Sequence, residues 1–272
     1  MRMKALNRIL LISGALSSIF LTACSTGTVR ESAYPISFSS LSVEEKSVLE
    51  CDPEKPELNI KIDLRYAVDA GTSPASANIN REILKTALKE TESKVHFDIS
   101  SDFVQTVKSY VAGEVKSYQE TWTEIFRDWG HSVGSENMIA IRGNTRGMVG
   151  NAIIYQLEVD RDMGGAHPVH FKYFFNFDPV SGNRLSLSDL FKPDYEKALT
   201  DLLTRKAMTL ENVSSKSKLS CEPRPTENFV LESDGILFYF NPYDIAPYSR
   251  GPVRLKLRYG ELSPLMKQKN AN

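Results

Sequence analysis

Strict alternation of apolar and polar residues marks the clearest strands of this chain. In residues 58–68 every even-numbered position is apolar, and most of the intervening positions are polar. Residues 253–259 alternate in the same way and carry basic residues on the opposite face. A period of two places the apolar residues on one face of an extended segment, so both segments are predicted to be strands with one buried face.

The central part of the chain, residues 153–191, predicts two strands joined by a loop of small residues. Alternation over residues 155–159 indicates the first strand, and the apolar and aromatic run from Val169 indicates the second. The loop contains three residues that are candidates for contact with a partner: Gly164, Gly165 and His167. After the second strand, residues 178–183 have the composition of a turn.

Two amphipathic helices are predicted before this central part. A stripe of apolar residues follows Asn78 and Asn80, either of which could cap the first helix. The second helix is predicted to begin at Ser100 or Ser101 and to end at Gly130. Its apolar stripe is expected to face the core; the alternative is a ligand groove. The stripe comprises Phe103, Val107, Tyr110, Val111, Val115, Tyr118, Trp122, Ile125, Phe126 and Trp129.

The remaining pattern completes an α+β fold. Residues 142–150 contain three glycines and are predicted to be a hairpin connection. Asp194 is predicted to cap a further helix, and residues 228–231 and 236–240 are predicted to be strands. The fold class expected is therefore α+β, with antiparallel sheets, packed helices and one long amphipathic helix.

The first residues of the chain follow the pattern of an export signal. Three basic residues precede an apolar segment, residues 9–20, which is shorter than a membrane span. The sequence Leu-Thr-Ala-Cys at residues 21–24 follows at once and resembles the lipobox of bacterial lipoproteins. We therefore expect cleavage of residues 1–23, acylation of Cys24 and attachment to a membrane of the cell envelope, facing the periplasm or the cell surface. The alternative is an ordinary secretory signal that is cut nearby.

Composition and cysteines add two expectations. The 272 residues carry a net charge of −1, with 41% hydrophobic and 25% charged residues, which is typical of a globular protein and gives no reason to expect nucleic-acid binding. In an oxidising compartment Cys51 and Cys221 are predicted to form a disulfide; the alternative is two free thiols. Residues 24–57 are expected to comprise a tether, to about Ser40, and the start of the fold.

Candidate chemistry in the chain is sparse. His167 and His170 lie three residues apart near Asp160 and Asp162, but two glycines and a proline oppose the helix that this spacing would need to chelate zinc. The two aspartates are interpreted as a solvated strand end rather than as the acid pair of a sugar hydrolase. We therefore expect no catalytic residues, no metal site and no cofactor, and a protein that acts by binding.

Several separated motifs together resemble domain of unknown function 3298. They are Gly-Gly-Ala-His-Pro at residues 164–168, Asn-Phe-Asp at 176–178, Leu-Ser-Leu-Ser-Asp-Leu-Phe at 185–191 and the loop at 240–251. The resemblance covers about residues 58–266. It implies two units: residues 58–150 as the smaller companion domain that often precedes the family, and residues 151–272 as the family domain itself.

The resemblance also implies a function. This pair of domains occurs outside the cytoplasm in RsiV-type anti-sigma factors, whose ectodomain binds lysozyme, and beside peptidoglycan deacetylase domains. The expectation is a lipid-anchored, non-catalytic envelope protein that binds a lysozyme-like hydrolase; the alternatives are a peptidoglycan-binding accessory module and a cell-wall hydrolase. Besides the loop at 164–168, the loop at 241–251 is a candidate partner surface, because tyrosine and arginine are favoured in interfaces. Its candidate contact residues are Tyr243, Tyr248 and Arg250.

Overall fold

A computed structural model describes residues 36–52, 57–69, 74–89, 102–130, 136–165, 167–210 and 219–268. Its larger sheet has five strands in chain order. The strands are β1 Ile36–Val48, β2 Glu57–Asp69, β3 Asn137–Val149, β4 Ala152–Asp162 and β5 Val169–Phe177. Neighbouring strands are antiparallel except β2 and β3, which pair in parallel and are therefore joined by a crossover that contains two helices.

Helices α1, Ala75–Lys89, and α2, Phe103–Trp129, cover one face of this sheet. The side chain of Asp102 accepts a hydrogen bond from the Gln105 N–H and caps α2, and Gly130 ends it in the left-handed conformation. The first half of the predicted apolar stripe is buried against the sheet, whereas Trp129 in the last turn is 68% exposed. Among the described residues, no helix is long and apolar enough to cross a membrane.

The smaller sheet is a three-stranded antiparallel meander with its own core. It consists of β6 Phe229–Glu232, β7 Gly235–Phe240 and β8 Val253–Arg258. Helix α4, Tyr195–Met208, packs on β8, while α3, Leu187–Leu190, and α5, Tyr259–Leu262, flank it. The buried side chains of α4 lie in one cluster with those of β7 and β8, because the helix and the sheet each present one apolar face.

Two buried asparagines join the sheets at β5 and β6. The Asn228 amide accepts a hydrogen bond from the Phe174 N–H at 2.9 Å and donates to the Lys172 carbonyl at 2.8 Å. The Asn176 amide donates to the Phe229 carbonyl at 2.8 Å and accepts from the Leu231 N–H at 2.9 Å. These side chains take the place of a strand-to-strand ladder, since they satisfy backbone groups of both strands.

The strand register decides which loops share an end of the larger sheet. Ile36 pairs with the last residue of β2, and Val48 pairs with the first. The pairings from β2 to β5 carry this order across the sheet, so Asp162 and Val169 lie at the Val48 end. The chain therefore enters the sheet at the Ile36 end, and the β4–β5 loop lies at the opposite end.

The α+β fold expected from the sequence is confirmed, and three local expectations are corrected. Residues 36–40 belong to β1, not to a tether, because they pair with the end of β2. The predicted hairpin connection is mostly strand, and only Gly150 and Asn151 form the turn. Asn80 does not cap α1; its side chain bonds the backbone N–H and carbonyl of Ala67. The β3–β4 pairing connects residues on the two sides of position 150, so the two predicted units contribute strands to one sheet, and the division between them stays a prediction.

The predicted disulfide is not formed: Cys51 and Cys221 are free, exposed thiols. The Cys51 sulfur lies 3.9 Å from the Thr123 hydroxyl on α2, whereas the Cys221 sulfur lies 3.4 Å from the Asp244 carbonyl beside the smaller sheet. Each thiol thus has its own local partner in a different part of the fold. The predicted signal, residues 1–23, and the lipidation site Cys24 lie outside the described residues.

Candidate recognition site

The two loops selected from the sequence meet at the Val48 end of the molecule. Strand β6 lies beside β5 and runs in the same direction, away from the Val48 end. Strand β7 is antiparallel to β6 and therefore runs back towards the Val48 end. The β7–β8 connection, residues 241–252, therefore lies beside the β4–β5 loop. The Asn241 side chain fixes this approach, because its oxygen accepts a hydrogen bond from the Lys172 N–H of β5 at 2.8 Å.

Three rings from the two loops form one exposed cluster, the aromatic patch, defined here as His167, Tyr243 and Tyr248. The imidazole of His167 stacks on the ring of Tyr248 with centroids 3.8 Å apart and planes 14° apart. Its Nε2 lies 2.7 Å from the Tyr243 hydroxyl. The Tyr248 hydroxyl donates to the Pro168 carbonyl at 2.9 Å. Each ring is thus held by a partner on the other loop.

Tyr243 is an exposed ring of the patch, with 60% of its surface accessible. Its φ of 75° is in the left-handed region, which costs a residue with a side chain about 1 kcal/mol. The loop maintains this conformation through a hydrogen bond from the Tyr243 N–H to the Ala246 carbonyl at 3.1 Å. Ile245 and Ala246 are buried in the core of the smaller sheet and fix the loop from below.

The other predicted contact residues lie beside the patch. Gly164 has a φ of 75° and donates its N–H to the Asp162 carboxylate at 3.1 Å. Gly165 is exposed, with no atom near the position that a Cβ would occupy. Arg250 ends a short 3-10 turn, Tyr248–Arg250, and is half-buried. The structure therefore brings all six predicted contact residues to one end of the molecule.

A groove of about 590 Å³ adjoins the patch and has an ionic floor on β4 and β5. Glu158 accepts from Lys172 at 2.6 Å and from Arg142 at 3.2 Å, and Asp160 pairs with His170 at 2.8 Å and with Arg142. Burial alone would raise the pKa of Glu158, but Lys172 and Arg142 outweigh it and leave that pKa below its ordinary value. Asp160, interpreted from the sequence as a solvated strand end, is therefore part of an ion-pair network.

His167 and His170 do not lie together in one cluster of possible metal ligands. His170 lies on the sheet face against Asp160, whereas His167 belongs to the patch. In the described part of the chain, no group of three or more His, Cys, Asp and Glu side chains could hold a metal ion.

One serine motif was missed at the sequence level. Residues 130–134 are Gly-His-Ser-Val-Gly, the spacing of a nucleophile elbow. That elbow connects a strand to a helix, whereas here Gly130 ends α2 and the next element is β3. The order of elements is therefore reversed, and this context does not support an elbow; residues 131–135 themselves lie outside the described ranges.

Comparison with known proteins gives a family match in the second half of the chain. Residues 188–260, which include the loop with Tyr243 and Tyr248, match the model of the family "Protein of unknown function (DUF3298)". A crystal structure of a DUF3298-family member from Bacteroides fragilis is similar to 86% of this chain and 95% of its own, with a TM-score of 0.74 and 28% identity. A DUF3298-family protein from Pseudomonas aeruginosa shares the fold, with a TM-score of 0.57 and 18% identity.

Curated relatives match a shorter part. The immunogenic proteins MPT64 of Mycobacterium tuberculosis and MPB64 of Mycobacterium bovis are 25% identical over 105 residues. That match covers 36% of this chain and 45% of theirs, so the chain spans less than half the length of these relatives.

Family match and structural neighbours together define the class: an α+β protein whose residues 188–260 match the DUF3298 family model and whose fold resembles solved members of that family. The family resemblance read from the sequence motifs is confirmed for residues 188–260.

Proposed function

We propose that this chain is a lipid-anchored protein of the cell envelope that binds another protein through the aromatic patch and catalyses no reaction. The observation that carries the proposal is the meeting of two loops in one exposed, internally bonded cluster of rings. The Leu-Thr-Ala-Cys sequence at residues 21–24 supports the anchor.

The geometry of the patch suits protein recognition for an energetic reason. Ordering side chains on binding costs about 0.5–1.5 kcal/mol for each mobile side chain. His167, Tyr243 and Tyr248 are already ordered by their mutual stacking and hydrogen bonds, so less of this cost remains. Tyrosine also has few rotatable bonds and a large contact area, which makes it a frequent centre of binding energy.

The partner we propose is a lysozyme-like hydrolase, because the sequence motifs resemble those of RsiV-type ectodomains that bind lysozyme. In such a complex the projecting ring of Tyr243 would supply the apolar contact at the centre of the interface. The charged groups around it, including Arg250 and the floor of the groove, would form a polar rim.

Calorimetry with a soluble fragment, residues 25–272, and purified lysozymes tests the proposal. The wild-type fragment is expected to bind, and Tyr243→Ala is expected to weaken binding by about 30-fold, the effect of losing a central residue worth about 2 kcal/mol. Val180→Ala is the control, since Val180 is 69% exposed in the β5–α3 turn outside the patch.

Failure of the wild-type fragment to bind any lysozyme would remove this partner. Equal affinity of the Tyr243→Ala and wild-type fragments would remove the patch as the binding surface.

A further inference from the structure

Three shallow depressions of about 690, 420 and 590 Å³ lie next to one another on the face of the larger sheet that α1 and α2 leave uncovered. Arg142 lines both the first and the second, and Glu158 lines both the second and the third. We call this row of depressions the trough. Because neighbouring strands lie about 4.8 Å apart, a ligand that crosses from β1 to β5 would be about 19 Å long.

Short side chains and the position of the smaller sheet create the trough. On β1 and β3 the outward residues include Ser40, Ser42 and Ala140, which are much shorter than the lysines and arginines next to them. The smaller sheet covers the outward face only near Ile154 and Phe174, which pack in a separate apolar cluster. The Val48 half of β4 and β5 is left open, with the loop at residues 248–252 as its wall.

Paired charges line the trough along its whole length. Lys61 pairs with Glu44 at 2.8 Å in the first part, and Lys172 pairs with Glu158 at 2.6 Å in the last. The hydrogen bond that Lys61 donates to the Glu44 carboxylate raises the pKa of Lys61. Cations and carboxylates therefore alternate in fixed positions, and no large region of one sign is formed.

The alternating cations and carboxylates favour some classes of ligand over others. A nucleic acid requires a stripe of positive charge, which the alternating pairs do not provide. An extended peptide is bound best at a sheet edge, where its backbone groups find partners, whereas a sheet face offers side chains only. Sugar hydroxyls both donate and accept, so they match a surface on which donors and acceptors alternate. The partly exposed ring of Tyr248, which stacks on His167, also lines one end of the trough, where a sugar ring can contact it.

We propose that the trough binds an uncharged oligosaccharide in an extended conformation, several sugar rings long. This site goes beyond the proposed protein binding. The two proposals share the groove beside Tyr248, but neither requires the other. Arg142 has the central position, because it lines two of the three parts and its guanidinium pairs with Glu158 and Asp160, which line the third.

Calorimetry of the fragment, residues 25–272, with two series of uncharged oligosaccharides tests the site. The probes are β-1,4-linked dimers, tetramers and hexamers of N-acetylglucosamine and of glucose. Affinity for at least one series is expected to rise at least tenfold from dimer to hexamer, because only the longer chains span several strands. Arg142→Met and Lys61→Ala are each expected to weaken binding of the hexamer at least fivefold.

The matched control is Arg205→Met, which makes the same change on an exposed position of α4. Tyr243→Ala is also expected to leave oligosaccharide affinity unchanged, which separates this site from the proposed protein-binding patch. Lys61 is largely exposed, so its variant remains informative if Arg142→Met fails to fold. Absence of binding to both hexamers at millimolar concentration, no dependence on length, or an equal loss in Arg205→Met would overturn the proposal.

Discussion

Gly182 shows how a single residue joins distant parts of this fold. Its φ of 70° closes the turn after β5, and the Asp178 carboxylate accepts hydrogen bonds from two N–H groups of that turn. A Cβ at Gly182 would overlap the backbone of Ala75, the first residue of α1. The Asn78 side chain adds a hydrogen bond from α1 to the Ser181 carbonyl at 2.9 Å. The glycine is therefore required both by its conformation and by the space available.

Gly182→Ala is expected to lower the free energy of unfolding by about 2–4 kcal/mol, the sum of left-handed strain and overlap with Ala75. Urea denaturation measures the change. Gly260→Ala is the control, because Gly260 is in α5, has no positive φ and has open space around its Cβ position. We expect that variant to change stability by less than about 1 kcal/mol. Similar losses in the two variants would contradict the explanation.

At the scale of elements, the junction of β5 and β6 depends on asparagine side chains. Asn228 is 8% exposed and satisfies one N–H and one carbonyl of β5. An apolar side chain at this position would leave both backbone groups buried without these partners. Because an unsatisfied buried group costs about 1–3 kcal/mol, the junction is sensitive to either asparagine.

Asn228→Ala is therefore expected to lower the free energy of unfolding by about 2–4 kcal/mol, measured by urea denaturation. Asn59→Ala is the matched control, since the half-buried Asn59 side chain donates to the Glu57 side chain beside it and, among the described residues, bonds no backbone group. That variant is expected to lose less than about 1 kcal/mol. A loss for Asn228→Ala no larger than that of the control would show that the two sheets are joined by packing alone.

The local sequence pattern predicted which segments form strands and helices better than it predicted which segments pair or pack with one another. The strand at 58–68 and the long helix were found because alternation and helical spacing are properties of adjacent residues. The parallel pairing of β2 with β3 was not predicted, since it depends on how α1 and α2 pack. Asn80 has the sequence signal of a cap, but the contact with Ala67 of β2 decided its position.

For the candidate site too, the sequence predicted the separate segments but not the contacts between them. Composition identified both loops, but nothing local indicated that His167 would lie 2.7 Å from a tyrosine 76 residues later. The ionic pairs of β4 and β5 were also missed, because the strand register sets them.

At the scale of the whole molecule, anchoring and thiol state can be tested together. Mass analysis of the mature protein, alkylated without prior reduction, is expected to show acyl chains on Cys24 and alkylation of both Cys51 and Cys221. The two alkylations follow from free, exposed thiols. Cys24→Ser provides the control and is expected to move the protein from the membrane fraction to the soluble fraction. An unmodified Cys24 would refute the lipid anchor. A protein lighter by two hydrogen atoms, with neither Cys51 nor Cys221 alkylated, would show that these two cysteines form the disulfide after all.

The entry of the chain at the Ile36 end has a consequence for orientation. Strand β1 has 13 residues, so it spans about 40 Å from Ile36 to Val48. Anything that holds the chain upstream of Ile36 pulls on the side of the domain remote from Tyr243. A protein attached in this way would present its tyrosines outward, to molecules that approach from beyond the layer that carries it.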